Sequence, residues 1–274
     1  MLLFKNETLV SEAMMRNQIL IYQDTGTNDI RNLQKSLEQY FLPQGIAVKT
    51  TNADEIIKKN ILDENILAFF MPGGRATPYL EKLKKQGNEK ITSYVKNGGI
   101  YFGICAGAYY ASRKVSFETD VKDLCIIQEC GLNLIDADAI GTLYKELNIS
   151  PYTRDFQSIA PVKVRWLADK ETHIACYHGG PYFKPALGSP LQVLAEYELN
   201  GQKLPAVVIQ QQGNGIAVAS GLHVEDSAQS LREVLIMLNK KDEHAEDIIQ
   251  KLEAGEALRS ALFAKLMSKI TPTR

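Results

Sequence analysis

The sequence predicts an α/β protein built on a doubly wound, mostly parallel sheet with helices on both faces. Three observations carry this reading. Short apolar runs alternate with amphipathic helical stretches from Ile19 to Ile104, a rhythm that gives parallel pairing through right-handed crossovers. The runs Ile66–Met71 and Ile100–Ile104 are apolar without alternation, as strands buried on both faces are. Turn-forming or glycine-rich segments follow three of the strands, at the carboxyl ends where open α/β sheets collect their ligands.

Residues 1–18 mix polar and apolar side chains without a period and read as an N-terminal extension. Ile19-Leu20-Ile21-Tyr22 is the first strand and runs into the loop Gln23-Asp24-Thr25-Gly26-Thr27-Asn28. Ile30, Leu33, Leu37 and Tyr40/Phe41 then recur at helical spacing, and the helix stops before Pro43. Ile46–Thr50 is a second strand, and Asn52 or Asp54 caps a short helix through Lys59. The third strand, Ile66–Met71, ends in Pro72-Gly73-Gly74-Arg75. Two helical segments follow, Pro78–Gln86 and Asn88–Lys96, and then the strand Ile100–Ile104.

The pattern weakens from Ser116 to Pro161, with one or two short strands expected within Cys125–Ile135 and a loop from Tyr144 to Phe156. Val162–Leu167, His173–His178 and Gln192–Tyr197 read as strands. Ala206–Gln211 and Ile216–Ala219 form an antiparallel hairpin about Gly213-Asn214-Gly215, because Asn-Gly favours a tight reverse turn. Ser227 or Asp226 caps a helix running to Leu238. The main domain is therefore expected over residues 19–239, and Lys240-Lys241-Asp242 reads as a linker. Residues 240–274 form a tail of two amphipathic helices separated near Gly255. Its apolar stripe must be buried on the domain or on a second copy of the chain.

Composition narrows the partners. The 274 residues carry a net charge of −1, which argues against nucleic acid or an anionic membrane as partner. No apolar run approaches the ~18 residues of a membrane span. The N-terminus lacks a basic start followed by an apolar block, so a secretory signal is not expected and a cytoplasmic protein with reduced thiols is. Four cysteines (Cys105, Cys125, Cys130, Cys176) contain no C-x-x-C pair and have no clustered histidines, so no metal is expected. There is no G-x-x-x-x-G-K-[ST] motif, and Gly213-x-Gly215 lies inside a hairpin. No nucleotide or other cofactor is called for.

One stretch carries chemistry. Gly103-Ile104-Cys105-Ala106-Gly107 is the Gly-x-nucleophile-x-Gly pattern of a sharp strand-to-helix turn, with cysteine as the nucleophile. The glycines leave room for the strained residue between them. A helix from Ala106 to Arg113 would point its N-terminus at the sulfur and favour thiolate. Cysteine catalysis also needs a base, an orienting group for it and oxyanion donors. The sequence holds four histidines. His244 lies in a polar stretch and His173 begins a strand. His223 follows the buried strand Ile216–Ala219, and Glu225, two residues on, falls on the same side in extended backbone. His223 and Glu225 are therefore the expected base and its orienter. The alternative base is His178, with Asp136 or Asp138 as carboxylate. Gly73 and Gly74 at a strand end, with the N–H of Ala106, are the expected oxyanion hole. Asp24, Arg75, Tyr109, His178 and Gly179 stand on the substrate side, Arg75 as a partner for a substrate carboxylate.

Four segments in this order carry a family resemblance: Met71-Pro72-Gly73-Gly74 with Pro78-Tyr79, Gly103 to Tyr110, His178-Gly179-Gly180-Pro181-Tyr182-Phe183, and Gly221-Leu222-His223-Val224-Glu225. Over Ile19 to Leu238 the chain resembles the class I glutamine-amidotransferase-like superfamily, with its flavodoxin-like fold. Within that superfamily it looks most like the amino-terminal domain of eukaryotic biotin–protein ligases and of stand-alone bacterial proteins. The resemblance implies a Cys105, His223 and Glu225 triad with Gly73, Gly74 and Ala106 as the oxyanion hole. Ala108-Tyr109 occupy the region where glutamine-using members carry a glutamine. No Gly-Arg-rich biotinyl-adenylate loop is found, so biotin transfer is not expected.

Three functions follow as expectations. The first is a cysteine-dependent amidotransferase-like hydrolase acting on a small amide or acyl substrate. The second is a ligand-binding or regulatory module of the same fold. The third is a PfpI/ThiJ-like enzyme acting on reactive carbonyls, for which Asp24 would be the acidic partner of the cysteine.

Overall fold

The computed structural model describes residues 16–199 and 201–271; most of the expected N-terminal extension lies outside the described residues. The first half of the chain alternates strand and helix as its hydrophobic pattern requires. It runs β1 (Gln18–Tyr22), α1 (Arg31–Phe41), β2 (Ala47–Thr51), α2 (Ala53–Lys59), β3 (Ile66–Met71), α3 (Ala76–Lys96) and β4 (Ile100–Ile104). Asn52 caps α2 by accepting from the Glu55 N–H at 3.0 Å. The two expected helices after β3 are one run, kinked at Lys84 (φ 55°).

After β4 come α4 (Ala106–Ala111), β5 (Ser112–Phe117), β6 (Ile126–Glu129), β7 (Ile135–Gly141) and the single turn α5 (Tyr144–Leu147). The expected helix to Arg113 is thus cut short, because Ser112 is already extended (φ −78°, ψ 168°). The one-turn α5 occupies part of the expected loop. The second half contributes β8 (Ile159–Trp166), β9 (Thr172–His178), β10 (Tyr182–Pro185), β11 (Gln192–Leu199), β12 (Gln202–Gln212) and β13 (Gly215–Ser220). Three helices end the chain: α6 (Ala228–Met237), α7 (Glu243–Ala254) and α8 (Glu256–Ser268). The Ser227 hydroxyl accepts from the Ser230 N–H at 3.1 Å and starts α6 with a capping box.

Nine strands form one sheet in the order β2-β1-β3-β4-β13-β12-β11-β8-β9. It is parallel from β2 to β13 and antiparallel from β13 to β9. Four further strands, in the order β10-β7-β5-β6, form a small second sheet. Alternation along β3 and β4 divides the core between the two faces of the large sheet. Phe70 and Phe102 are register partners and stack at 4.9 Å on one face. Phe69 and Tyr101 pair at 6.2 Å on the other. Each such side chain contributes about 1.5–3 kcal/mol by leaving water.

The C-terminal helices bury their stripes within the chain. Leu262, Phe263, Leu266 and Met267 of α8 join the same core face as Phe70 and Phe102. Ile248, Ile249 and Leu252 of α7 pack with Leu231 and Leu235 of α6. His173 is buried, with Nδ1 3.0 Å from the Leu258 carbonyl oxygen, and ties β9 to α8. All four cysteines are free. Among the described residues no helix is long and apolar enough to cross a membrane.

Candidate functional site

β4 delivers Cys105 to the carboxyl edge of the parallel sheet, and the chain turns there within one residue. Cys105 has φ 47° and ψ −105°, a conformation costing a non-glycine residue about 1–3 kcal/mol. Its surroundings hold it in place. The Cys105 N–H donates to the Ser220 carbonyl at 2.9 Å, and its own carbonyl accepts from Ala108 and Tyr109 at 2.9 and 3.0 Å. The flanking glycines are sterically required: a Cβ on Gly103 would lie 2.5 Å from the Gly107 oxygen, and one on Gly107 only 2.0 Å from the Met71 oxygen. The Tyr101 hydroxyl donates to the Gly107 carbonyl at 2.8 Å. With six residues in α4, the helix supplies a smaller field at the sulfur than the longer expected helix would.

β13 ends beside β4, and the segment after it carries His223. Its N–H donates to the Cys176 carbonyl at 2.9 Å. His223 Nδ1 lies 2.9 Å from Glu225 Oε1 and 3.7 Å from Asp226 Oδ2. Its Nε2 is buried and has no hydrogen-bond partner among the described residues. Gly73 closes the third side: a Cβ there would lie 2.7 Å from His223 Cε1 and 3.6 Å from Cys105 Cβ. Burial disfavours a charged ring, but the Glu225 charge and the neighbouring Cys105 outweigh it and hold the His223 pKa well above its ordinary value. Burial and the charge of Glu225 push the Asp226 carboxyl up to about 6.

The expected residues fall into two groups. Cys105, His223, Glu225, Gly73, Gly74 and Ala106 come together at the sheet edge. No hydrogen bond among the described residues uses the backbone N–H of Gly73, Gly74 or Ala106. Gly74 has φ +143°, and a Cβ there would meet the Gly26 oxygen at 2.1 Å. Arg75, Tyr109 and Gly179 line a cavity of about 580 Å³ together with Cys105 and Ala106. The His178 carbonyl oxygen is 3.5 Å from the Cys105 sulfur.

The His178 ring does not take the role of base. Its Nε2–H donates to the Thr153 carbonyl at 2.9 Å, and burial together with the His223 charge lowers its pKa to about 4. Its alternative partner Asp138 is occupied by Arg113 at 2.8 Å. Asp24 is not brought to the cavity. Its carboxylate accepts from the N–H groups of Thr25 at 2.6 Å and Ala53 at 3.1 Å, organising the loop and the start of α2, and the neighbouring Thr25 lines the cavity instead.

Several residues at the site carried no sequence signal. The small sheet supplies an apolar wall of Val115, Phe117 and Ile126. Tyr152 and Arg154, from the segment expected to be loop, line the cavity, and the Tyr152 ring stacks on His178 at 5.2 Å. From α8, the buried Arg259 donates to the Val224 carbonyl at 2.5 Å, between His223 and Glu225. Asn32 of α1 donates to Asp226 at 3.0 Å.

Comparison with solved structures finds a glutamine amidotransferase of Thermotoga maritima, which superposes with a TM-score of 0.58 over 94% of this chain and 100% of that one at 15% identity. PurLQS of the same organism superposes with a TM-score of 0.51 over 88% of this chain and 99% of that one, at 14% identity. The fold is therefore that of the glutamine-amidotransferase-like α/β proteins. Residues 17–272 match the family described as "Biotin-protein ligase, N terminal", and the chain belongs to that family. An uncharacterised protein of Chlamydia muridarum is 29% identical over 263 residues, covering 94% of this chain and 98% of the relative. The biotin–protein ligase of Schizosaccharomyces pombe is 28% identical over 228 residues, covering 82% of this chain; the match spans 35% of that enzyme's length.

Proposed function

We propose that the chain is a cysteine-dependent hydrolase or amidotransferase-like enzyme of this family, with Cys105 as nucleophile, His223 as base and Glu225 as its orienter. The observation that carries the reading is the 2.9 Å contact between His223 Nδ1 and Glu225, made while Nε2 stays buried and unpartnered beside the strained Cys105. Glu225 fixes the ring and stabilises its positive charge, and His223 takes the proton of the thiol. The thiolate adds to an amide or acyl carbonyl of a small molecule. The oxyanion that forms accepts from the backbone N–H groups of Gly73, Gly74 and Ala106. His223 then returns the proton to the leaving amine or alcohol as the C–N or C–O bond breaks, leaving a thioester on Cys105. Water, or an acceptor amine, attacks the thioester; His223 removes its proton and hands it back to the sulfur.

The four free cysteines fit a reducing, cytoplasmic setting for this chemistry. The test is labelling with substoichiometric iodoacetamide, followed by peptide mapping. Cys105 should be alkylated faster than the exposed Cys125, and His223→Ala should abolish the difference. Equal labelling of Cys105 and Cys125 would sink the nucleophile reading. A second reading, a ligand-binding module without turnover, is favoured by Tyr109: its hydroxyl is spent on the Gly179 carbonyl at 3.2 Å in the region where glutamine-using relatives hold substrate. A bound metabolite recovered unchanged from both the native protein and Cys105→Ala would support it.

A further inference from the structure

We infer that the molecule acted on at Cys105 is a small organic anion with an apolar body, its negative group taken by Arg75 and Arg154. This rests on the reading of Cys105 as nucleophile and names its substrate class.

The cavity over Cys105, about 580 Å³, suits a small molecule rather than a protein or nucleic-acid segment. Its walls divide by chemistry. Val115, Phe117, Leu124 and Ile126 give an apolar side. The same space is also lined by two arginines from remote parts of the chain, Arg75 from the turn after β3 and Arg154 from the segment before β8. Neither guanidinium makes an ion pair or hydrogen bond with another described residue, whereas Arg31, Arg113, Arg232 and Arg259 are all ion-paired. An unpaired guanidinium fork presents its N–H donors in the geometry a carboxylate or phosphate accepts.

Tyr152 lines the same cavity. Burial raises the Tyr152 pKa, and the charged groups acting on its hydroxyl are Cys105, His223, Arg154 and Arg75. Arg75 and Arg154 thus share one cavity with the reacting atom. The carboxylates of Glu81 and Asp123 also line the cavity, and neither is ion-paired with Arg75 or Arg154 among the described residues. A neutral or cationic substrate would leave both guanidinium groups without an ion-pair partner. An anion supplies it.

The test uses two alkylating probes with the same reactive carbon, iodoacetanilide and its 4-carboxylate. In each, the Cys105 sulfur displaces iodide, so a C–S bond forms as the C–I bond breaks. Rates at Cys105 are read by peptide mass spectrometry and normalised to the rates of the same probes with glutathione. The carboxylate probe is expected to label Cys105 about tenfold faster than the neutral one. That preference should fall to the glutathione value in the Arg75→Gln, Arg154→Gln double variant, whose replaced side chains are exposed. Fast labelling of Cys105 without preference for the anion, or a preference that survives the double substitution, overturns the inference alone. Labelling of Cys105 no faster than Cys125 by either probe overturns the nucleophile reading and this inference with it.

Discussion

A methyl group on Gly107 would sit 2.0 Å from the Met71 oxygen, a contact between two pieces of backbone that cannot relax by side-chain rotation. Gly107→Ala is therefore expected to cost about 1–3 kcal/mol or more, read as a lowered urea midpoint. Ala106→Gly, one position away, should cost no more than about 1 kcal/mol. Charge sets a second expectation. Burial and the Glu225 charge push the Asp226 carboxyl up to about 6, so the folded state holds its proton more tightly than the unfolded chain does. A raised folded-state pKa gives stability that is complete below the unfolded value near 4 and lost as pH rises through about 6. Asp226→Asn should then stabilise the protein at pH 8, by about 1–3 kcal/mol at about 1.4 kcal/mol per pKa unit, and make little difference at pH 4. His223 follows the same sign, its stabilising charge being complete below about 6.5 and lost only above its raised folded pKa. Thermal melts of the native protein, Asp226→Asn and His223→Gln across pH 4–9 separate the two groups.

At the scale of elements, the parallel half was legible because β1, β3 and β4 are buried on both faces and their side chains say so without help from context. The elbow was legible for the same reason: Gly103 and Gly107 are demanded by local sterics. β7 and β10 were not. Ile135–Gly141 alternates in burial, but with Ala137, Ala139 and Gly141 as three of its four buried residues it offers too little hydrophobic contrast to mark a strand. Tyr182–Pro185 has four residues and a proline. Arg154 and Arg259 were illegible for another reason: Arg154 meets the Cys105 cavity only through the fold, and Arg259 bonds a carbonyl 35 residues away. Arg259 gives this element-scale expectation. Arg259→Met removes the donor to the Val224 carbonyl and leaves a buried acceptor unpaired, at about 1–3 kcal/mol. The measurement that separates positioning from general weakening is the pH profile of Cys105 alkylation. Arg259→Met should shift it, whereas an equally destabilising core change such as Leu235→Ala, packed between α6 and α7, should not.

Across the whole molecule, the terminal helices belong to the core rather than to its outside. Leu262, Phe263, Leu266 and Met267 are buried on the face shared with Phe70 and Phe102. At about 1.5–3 kcal/mol each, these four amount to some 6–12 kcal/mol, comparable with the entire net stability of a typical domain. A chain ended after Leu238 is thus expected to be unfolded or aggregated, seen as loss of the cooperative thermal transition and appearance in the insoluble fraction.

The contact from Arg259 to the Val224 carbonyl also orders events in time. Synthesis proceeds from the amino terminus, so Cys105 leaves the ribosome early, His223 and Glu225 much later, and the helix that fixes their loop after all of them. On the proposed reading of Cys105 as nucleophile, a nascent chain displays its thiol before the helix that orders the His223–Glu225 loop exists.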